Sequence, residues 1–283
     1  GGTIGFRPNK NSKLRIGYRQ SNTDQGLPGA VILYNQTADE RLTGTDKKLF
    51  CDAVVNFSKT SIRVYSNWNN NQLTYLDPDF LNNSGGIDVS YTNRSLNGGV
   101  VFRSGLFKKI SINGGVEQAY SNLVSSDSLF SNPIRYHTFG LLGASYSLGV
   151  GRISLQLSGQ YVDEQNKASD SANDIIKFNP FAAFFSKRIG NYGIYHKLWY
   201  RNSFRMPSFN ELYYNNIGNS DLKPETAHQF NYGFEITPID KRLKLLVRSS
   251  LFFNRVNDKI LGIPTKNLFV WSMQNVSTIH VYG

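Results

Sequence analysis

One cysteine stands among 283 residues. It is Cys51, inside KLFCDAVVNFS, so no disulfide forms within the chain, and the residue is expected to act as a small packing group. No run approaches the roughly 18 apolar residues of a bilayer-crossing helix, which excludes a helical membrane protein. Histidine is scarce: His137, His196, His228 and His280 stand singly, without the spacing of a zinc site, so no metal and no cofactor is expected. Acidic residues are outnumbered, 20 against 31 lysines and arginines, for a net charge of +11. That surplus raises the question of nucleic acid. The basic residues are spread along the chain, mostly on polar strand rows and never in a block, and no nucleic-acid partner is expected. Missing too are a G-x-S-x-G elbow, a carboxylate pair in one layer and any Ser/His/Asp grouping, so no enzyme is expected. The opening GGTIGFRPNK has no basic stretch followed by an apolar one, hence no secretion signal. The protein is then either cytosolic or begins further upstream, and the final NVSTIHVYG, apolar and strand-like to its end, favours a fragment cut in mid-strand.

What the chain does have is alternation. In GRISLQLSGQYVDE, Ile153, Leu155, Leu157, Gly159 and Tyr161 share one face of a strand, while Arg152, Ser154, Gln156, Ser158 and Gln160 share the other. AHQFNYGFEI repeats the pattern with His228, Phe230, Tyr232, Phe234 and Ile236, as does KRLKLLVRSSLFF with Leu243, Leu245, Val247, Leu251 and Phe253. A mean hydropathy of −0.37 hides such rows, because each apolar residue is averaged with a polar neighbour. The strands read as 11 to 15 residues long. A strand of about 13 residues, tilted by about 40°, still rises roughly 33 Å, more than the ~25 Å apolar band of an outer-membrane barrel. Connections sort by parity: SLGVG (147–151), RIGN (188–191) and PIDK (238–241) are short, whereas EQNKASDSAND (164–174) and VNDKILGIPTKN (256–267) read as long polar loops. Tyr161, Tyr192, Tyr195, Phe204, Phe252 and Phe253 fall near strand ends, where an aromatic girdle belongs. The expected fold class is all-β, an antiparallel transmembrane β-barrel in one domain. Strands are expected at KLRIGYRQ, KLFCDAVVNFS and SIRVYSNW, with a long loop containing DQGLPGAV; GGIDVSYTNR and GGVVFRSG read as two strands or one projecting hairpin, leaving parity open before residue 107.

The densest punctuation is FRMPSFNELYYNNIGNSDLKPE, residues 204–225. A strand over 191–205 ends at Pro207, which has no N–H for the ladder. Ser208 and Glu211 form a capping box that starts a short helical turn through Leu212, Tyr213 and Tyr214. Gly218 or a neighbouring asparagine is expected to stop it in the left-handed conformation, and Lys223-Pro224 leads out extended.

FRMPSFNELYY followed by GNSDLKPE resembles the signature boxes of TonB-dependent outer-membrane receptors. The matching positions are Phe204, Arg205, Pro207, Ser208, Glu211, Leu212, Tyr213, Gly218, Asn219, Leu222, Lys223, Pro224 and Glu225, with Met206 and Ser220 departing conservatively. GLPG (26–29) and the final NVSTIHVYG are similar to weaker segments of the same family. The resemblance implies a monomeric, plugged 22-stranded barrel in the bacterial outer membrane. Residues 1–283 would be its central part, without the plug domain and the C-terminal strands. It further implies energised uptake of a scarce ligand, with the TonB–ExbB–ExbD complex, acting through the plug, and the bilayer with its lipopolysaccharide as partners. Family haem receptors carry a histidine between the boxes, and residues 208–218 hold none, so the expected ligand is a ferric siderophore or cobalamin. Arg201, Tyr213 and Tyr214 are the candidate ligand-contacting rim residues; packing of the rim is their alternative role. The alternative function is a passive porin or a surface adhesin barrel.

Overall fold

The computed structural model describes residues 1–27, 39–78, 85–105, 107–128, 130–166, 174–214, 217–237, 245–264 and 271–283. Thirteen strands follow one another as hydrogen-bonded neighbours in chain order, forming one antiparallel sheet. The first six are β1 (Gly2–Asn9), β2 (Ser12–Gly26), β3 (Arg41–Phe57), β4 (Thr60–Asp77), β5 (Ile87–Ser104) and β6 (Ile110–Ser125). Then come β7 (Ile134–Ser147), β8 (Gly151–Gln165), β9 (Ile175–Ser186) and β10 (Tyr195–Arg205). A short helix, α1 (Phe209–Tyr213), precedes β11 (Glu225–Ile236), β12 (Val247–Pro264) and β13 (Trp271–Tyr282).

Several expected boundaries move. GGIDVSYTNR and GGVVFRSG are neither two strands nor a hairpin; they are one strand of 18 residues, β5. VNDKILGIPTKN is not a loop over its described part: β12 runs through it to Pro264, and its register with β13 is the same before and after Asp258, from Asn257↔Thr278 to Lys259↔Val276. The strand expected from 191 begins at Tyr195, because Gly190 and Gly193 have positive φ (66° and 56°) and an Ile189–Ile194 bridge closes the turn. Of the alternating segment expected from residue 241, residues 241–244 lie outside the described residues and the described part enters the ladder at Val247. PIDK, residues 28–29 of GLPG and residues 167–173 lie outside the described residues. Among the tight connections, residues 58–59 join β3 to β4 with Ser58 at φ 35°, the positive φ that two-residue hairpins require.

The chain divides into two compact units. The first comprises Gly1–Val101, Val116–Thr138 and Tyr161–Ile175. Its register builds an apolar face from the rows Phe6–Leu14–Ala53–Val64, Ile4–Ile16–Cys51–Ser66 and Tyr18–Leu49–Trp68. Ile4, Phe6, Ile16, Tyr18, Leu49, Val64 and Trp68 are all exposed. Cys51 lies exposed on this face and so is not the packing residue the sequence suggested. On the opposite face, Arg15 of β2 stands directly across from Asp52, and Arg63 of β4, paired with Val54, reaches it diagonally. Arg15 Nη2 lies 2.5 Å from Asp52 Oδ1, Arg63 binds Oδ2, and Asp52 is buried. Tyr65, opposite Asp52, donates to Glu117, and in β7 and β8 Arg135 pairs with Glu164.

The second unit comprises Phe102–Gly115, Phe139–Gln160 and Ile176–Gly283. In β8 the burial is the reverse of a water-soluble strand's, as a membrane-facing row requires: Leu155 and Leu157 are 57% and 50% exposed, while Ser154, on the polar row, is only 7% exposed. Tyr200, Phe230, Phe253 and Tyr282 align across β10–β13, with successive ring centroids 4.9 Å apart for Tyr200–Phe230 and 6.4 Å for Phe230–Phe253. Of the expected girdle residues, Phe253 belongs to this aromatic row. No second sheet covers the apolar rows among the described residues. An apolar side chain left in water forfeits about 1.5–3 kcal/mol of burial, and soluble monomers rarely expose patches of this extent. Hydrocarbon is the environment that suits these rows.

Candidate functional site

The segment from Arg205 to Glu225 folds around two carboxylates. Ser208 caps α1 as the sequence suggested: its Oγ accepts from the Glu211 N–H (3.3 Å), while Glu211 Oε2 accepts from the Ser208 N–H (2.7 Å). Pro207 beside it is fully buried. Glu211 is also gripped by Arg205, whose Nη1 and Nη2 donate to its two oxygens at 2.9 and 3.1 Å. The same Arg205 Nη2 donates to Glu225 Oε1 at 2.7 Å. That oxygen accepts two further bonds, from Lys259 Nζ (3.0 Å) and the buried Ile260 N–H (2.9 Å). The first box thus meets the second through one guanidinium, and both meet β12. Burial pushes the Glu211 carboxyl up, but the Arg205 guanidinium and the Ser208 amide and hydroxyl outweigh it, leaving the group below its ordinary range.

The rest of the segment is anchored by packing and backbone contacts. Leu212, Leu222 and Ile260 form a buried cluster against which Tyr213 and Met273 pack. Tyr214 ends α1 in an extended conformation. Gly218 does not take up the left-handed role expected of it, for its φ is not positive. It is needed for space: a Cβ there would lie 2.8 Å from Leu212 O, Tyr214 N and Tyr214 O. Asn219 Nδ2 donates to Met273 O (2.9 Å), and Met273 N–H donates to Ile217 O (2.9 Å). Asn275 accepts from Lys223 N–H (2.7 Å) and donates to Lys223 O and Asp258 O.

The candidate ligand contacts separate. Tyr213 packs on the Leu212 cluster, its ring 6.1 Å from that of Phe209, and Tyr214 is the half-buried helix cap. Arg201 stands in β10 itself, opposite Phe181 of β9 and Gln229 of β11. There it lines a groove of about 300 Å³ on the polar face of β7–β10. Gln156, Ser158, Gln160, Asn179 and Ser203 add polar groups to the groove, and Phe139, Leu141 and Phe181 add apolar ones. Asn179 is 6% exposed and its Nδ2 has no hydrogen-bond partner among the described residues. Sequence reasoning missed this groove, since its residues come from four strands, and it missed Lys259 and Asn275, which lie beyond the second box.

A family model described as TonB dependent receptor-like, beta-barrel matches residues 2–283. No curated protein matches the chain. Similar solved structures include the copper transporter OprC, 11% identical with a TM-score of 0.77 over 99% of this chain and 48% of that one. The FrpB iron transporter from Neisseria meningitidis (F3-3 variant) is 11% identical, with a TM-score of 0.76 over 99% and 48%. A double mutant of the Serratia marcescens hemophore receptor HasR, in complex with its hemophore HasA and heme, is 13% identical, with a TM-score of 0.71 over 99% and 50%. The chain spans about half the length of these proteins, and at such identities the likeness is one of fold. With an inside-out sheet, a loop knotted through its two boxes and a family model that runs nearly end to end, the chain belongs to the TonB-dependent receptor-like β-barrels of the bacterial outer membrane.

Proposed function

We propose that this chain is the central barrel wall of a longer receptor that imports a scarce ligand across the outer membrane with energy delivered by TonB. The carrying observation is the reversed burial of the strands, with Leu155 and Leu157 exposed and Ser154 covered. Such a sheet sets hydrocarbon against one face and leaves a hydrated face for a solute. The loop from Arg205 to Glu225 adds a fixed structure at the end of β10 and β11. The proposed partners are a plug upstream, the TonB–ExbB–ExbD complex acting through it, and the bilayer with its lipopolysaccharide. The proposed cargo is a ferric siderophore or cobalamin; the absence of histidine from residues 208–218 argues against haem capture at that position.

Growth tests this directly. Deletion of the gene should abolish growth on one ferric chelate or on cobalamin as the sole source, and deletion of tonB in the intact strain should abolish it equally. Uptake that persists without TonB would identify a passive porin instead, and unchanged growth on every source would end the transport reading.

A further inference from the structure

We propose that the groove on the polar face of β7–β10 is a subsite for an oxyanion-bearing ligand, with Arg201 and Asn179 donating to its oxygens. The inference rests on the uptake reading above and narrows its cargo to an anionic, oxygen-donor iron chelate. Two observations meet at this place. Arg201 lines the groove and has no carboxylate partner among the described residues. Asn179 also lines it at 6% exposure, and its Nδ2 has no hydrogen-bond partner among the described residues.

A buried amide donor left without an acceptor costs about 1–3 kcal/mol, and buried polar groups in folded proteins almost always find a partner. The unpaired atom is the side-chain amide nitrogen Nδ2, a donor, and its neighbour Arg201 is a donor only. Such a pair suits a group that only accepts, namely a carboxylate or a deprotonated catechol. Phe181, paired with Arg201 across β9 and β10, supplies an apolar flank for the carbon frame of the ligand. About 300 Å³ is room for a small molecule or one arm of a chelate.

The test uses the full-length receptor, purified in detergent, and four probes: ferric citrate, a ferric tris-catecholate, a neutral ferric trihydroxamate and cyanocobalamin. At least one of the two anionic complexes should bind, and the neutral probes should bind tenfold or more weakly. Arg201→Gln should weaken the anionic complex at least tenfold and Arg201→Lys should restore part of the loss. Asn179→Leu should weaken it severalfold, with melting temperatures of the ligand-free variants unchanged. Wild-type affinity in both Arg201→Gln and Asn179→Leu overturns the subsite, and so does tighter binding of a neutral probe. A lowered melting temperature with affinity intact overturns it as well, because the groove is then filled by another part of the protein. If none of the four probes binds the intact receptor, the uptake reading falls together with this one.

Discussion

Each unit holds a carboxylate between two cations, yet the two arrangements do different work. In the first unit, Asp52 of β3 binds Arg15, its register partner in β2, and Arg63, diagonal to it in β4. All three residues lie in paired stretches of the ladder, so the triad decorates a structure that exists without it. In the second unit, Glu225 joins Arg205 and Lys259, and through Arg205 it reaches Glu211 in α1. It also accepts from the Ile260 N–H. Here the ion network holds a segment with few ladder bonds of its own. Charge in the wall adjusts an interior already fixed by hydrogen bonding; charge in the loop determines whether the loop has one conformation.

The largest effect should come from Glu225→Ala. Its removal leaves the buried Ile260 N–H without an acceptor, a loss of about 1–3 kcal/mol, in addition to the bonds of Arg205 and Lys259. Residues 206–224 should become susceptible to limited proteolysis and lose amide-exchange protection in the intact receptor. The comparison breaks if Glu225→Ala leaves the segment as protected as before.

Gly218→Ala comes second. Its Cβ would meet three backbone atoms at 2.8 Å, none of which can swing aside, and such overpacking costs about 1–3 kcal/mol. The same exchange and proteolysis measurements should show opening confined to the loop, with the thermal transition of the barrel unmoved.

The wall was legible in the sequence where alternation was clean, because period two is a local property of each strand. Ile153, Leu155 and Leu157, or Phe230 and Tyr232, declare their face without knowledge of any neighbour. It was illegible where residues usually found in turns serve a distant contact. Asn97-Gly98-Gly99 looks like punctuation, yet β5 runs straight through it. Gly99 is there because a Cβ would lie 2.8 Å from Val116 O and 3.0 Å from the Tyr65 hydroxyl. Asn257, Asp258, Gly262 and Pro264 likewise imitate a loop in β12, whose continuity comes from pairing with β13. The capping box was readable from Ser208 and Glu211 alone. That Arg205 would bind Glu211 and Glu225 together was not, for the spacing of the boxes says nothing about the path of the loop between them.

Asp52→Ala is the matched control for Glu225→Ala and should cost less, about 1 kcal/mol, because the freed guanidiniums can rehydrate. Arg15 and Arg63 keep 44% and 52% of their side-chain surface in contact with solvent. The measurement is the midpoint of chemical unfolding from detergent. A cost at or above that of Glu225→Ala would show that the wall triad, too, maintains the path of the backbone.

The smallest effect is a titration. Glu211 is held below its ordinary value of 4.5, so the folded loop binds its proton less readily than the unfolded chain does. A depressed carboxyl contributes its stability in full above the ordinary value and loses it as the pH falls through the lowered folded value. Amide protection of Ser208 and of residues 210–213 should therefore be flat at neutral pH and decline only below about pH 4.5. In Glu211→Gln the decline should shrink, and protection at neutral pH should start lower, since the bidentate grip of Arg205 is gone. Asp52 offers no parallel here: its neighbours on the ladder keep their protection whatever its charge. Equal acid sensitivity in β3 and in the 208–213 segment would erase the distinction between a network that holds a loop and one that decorates a wall.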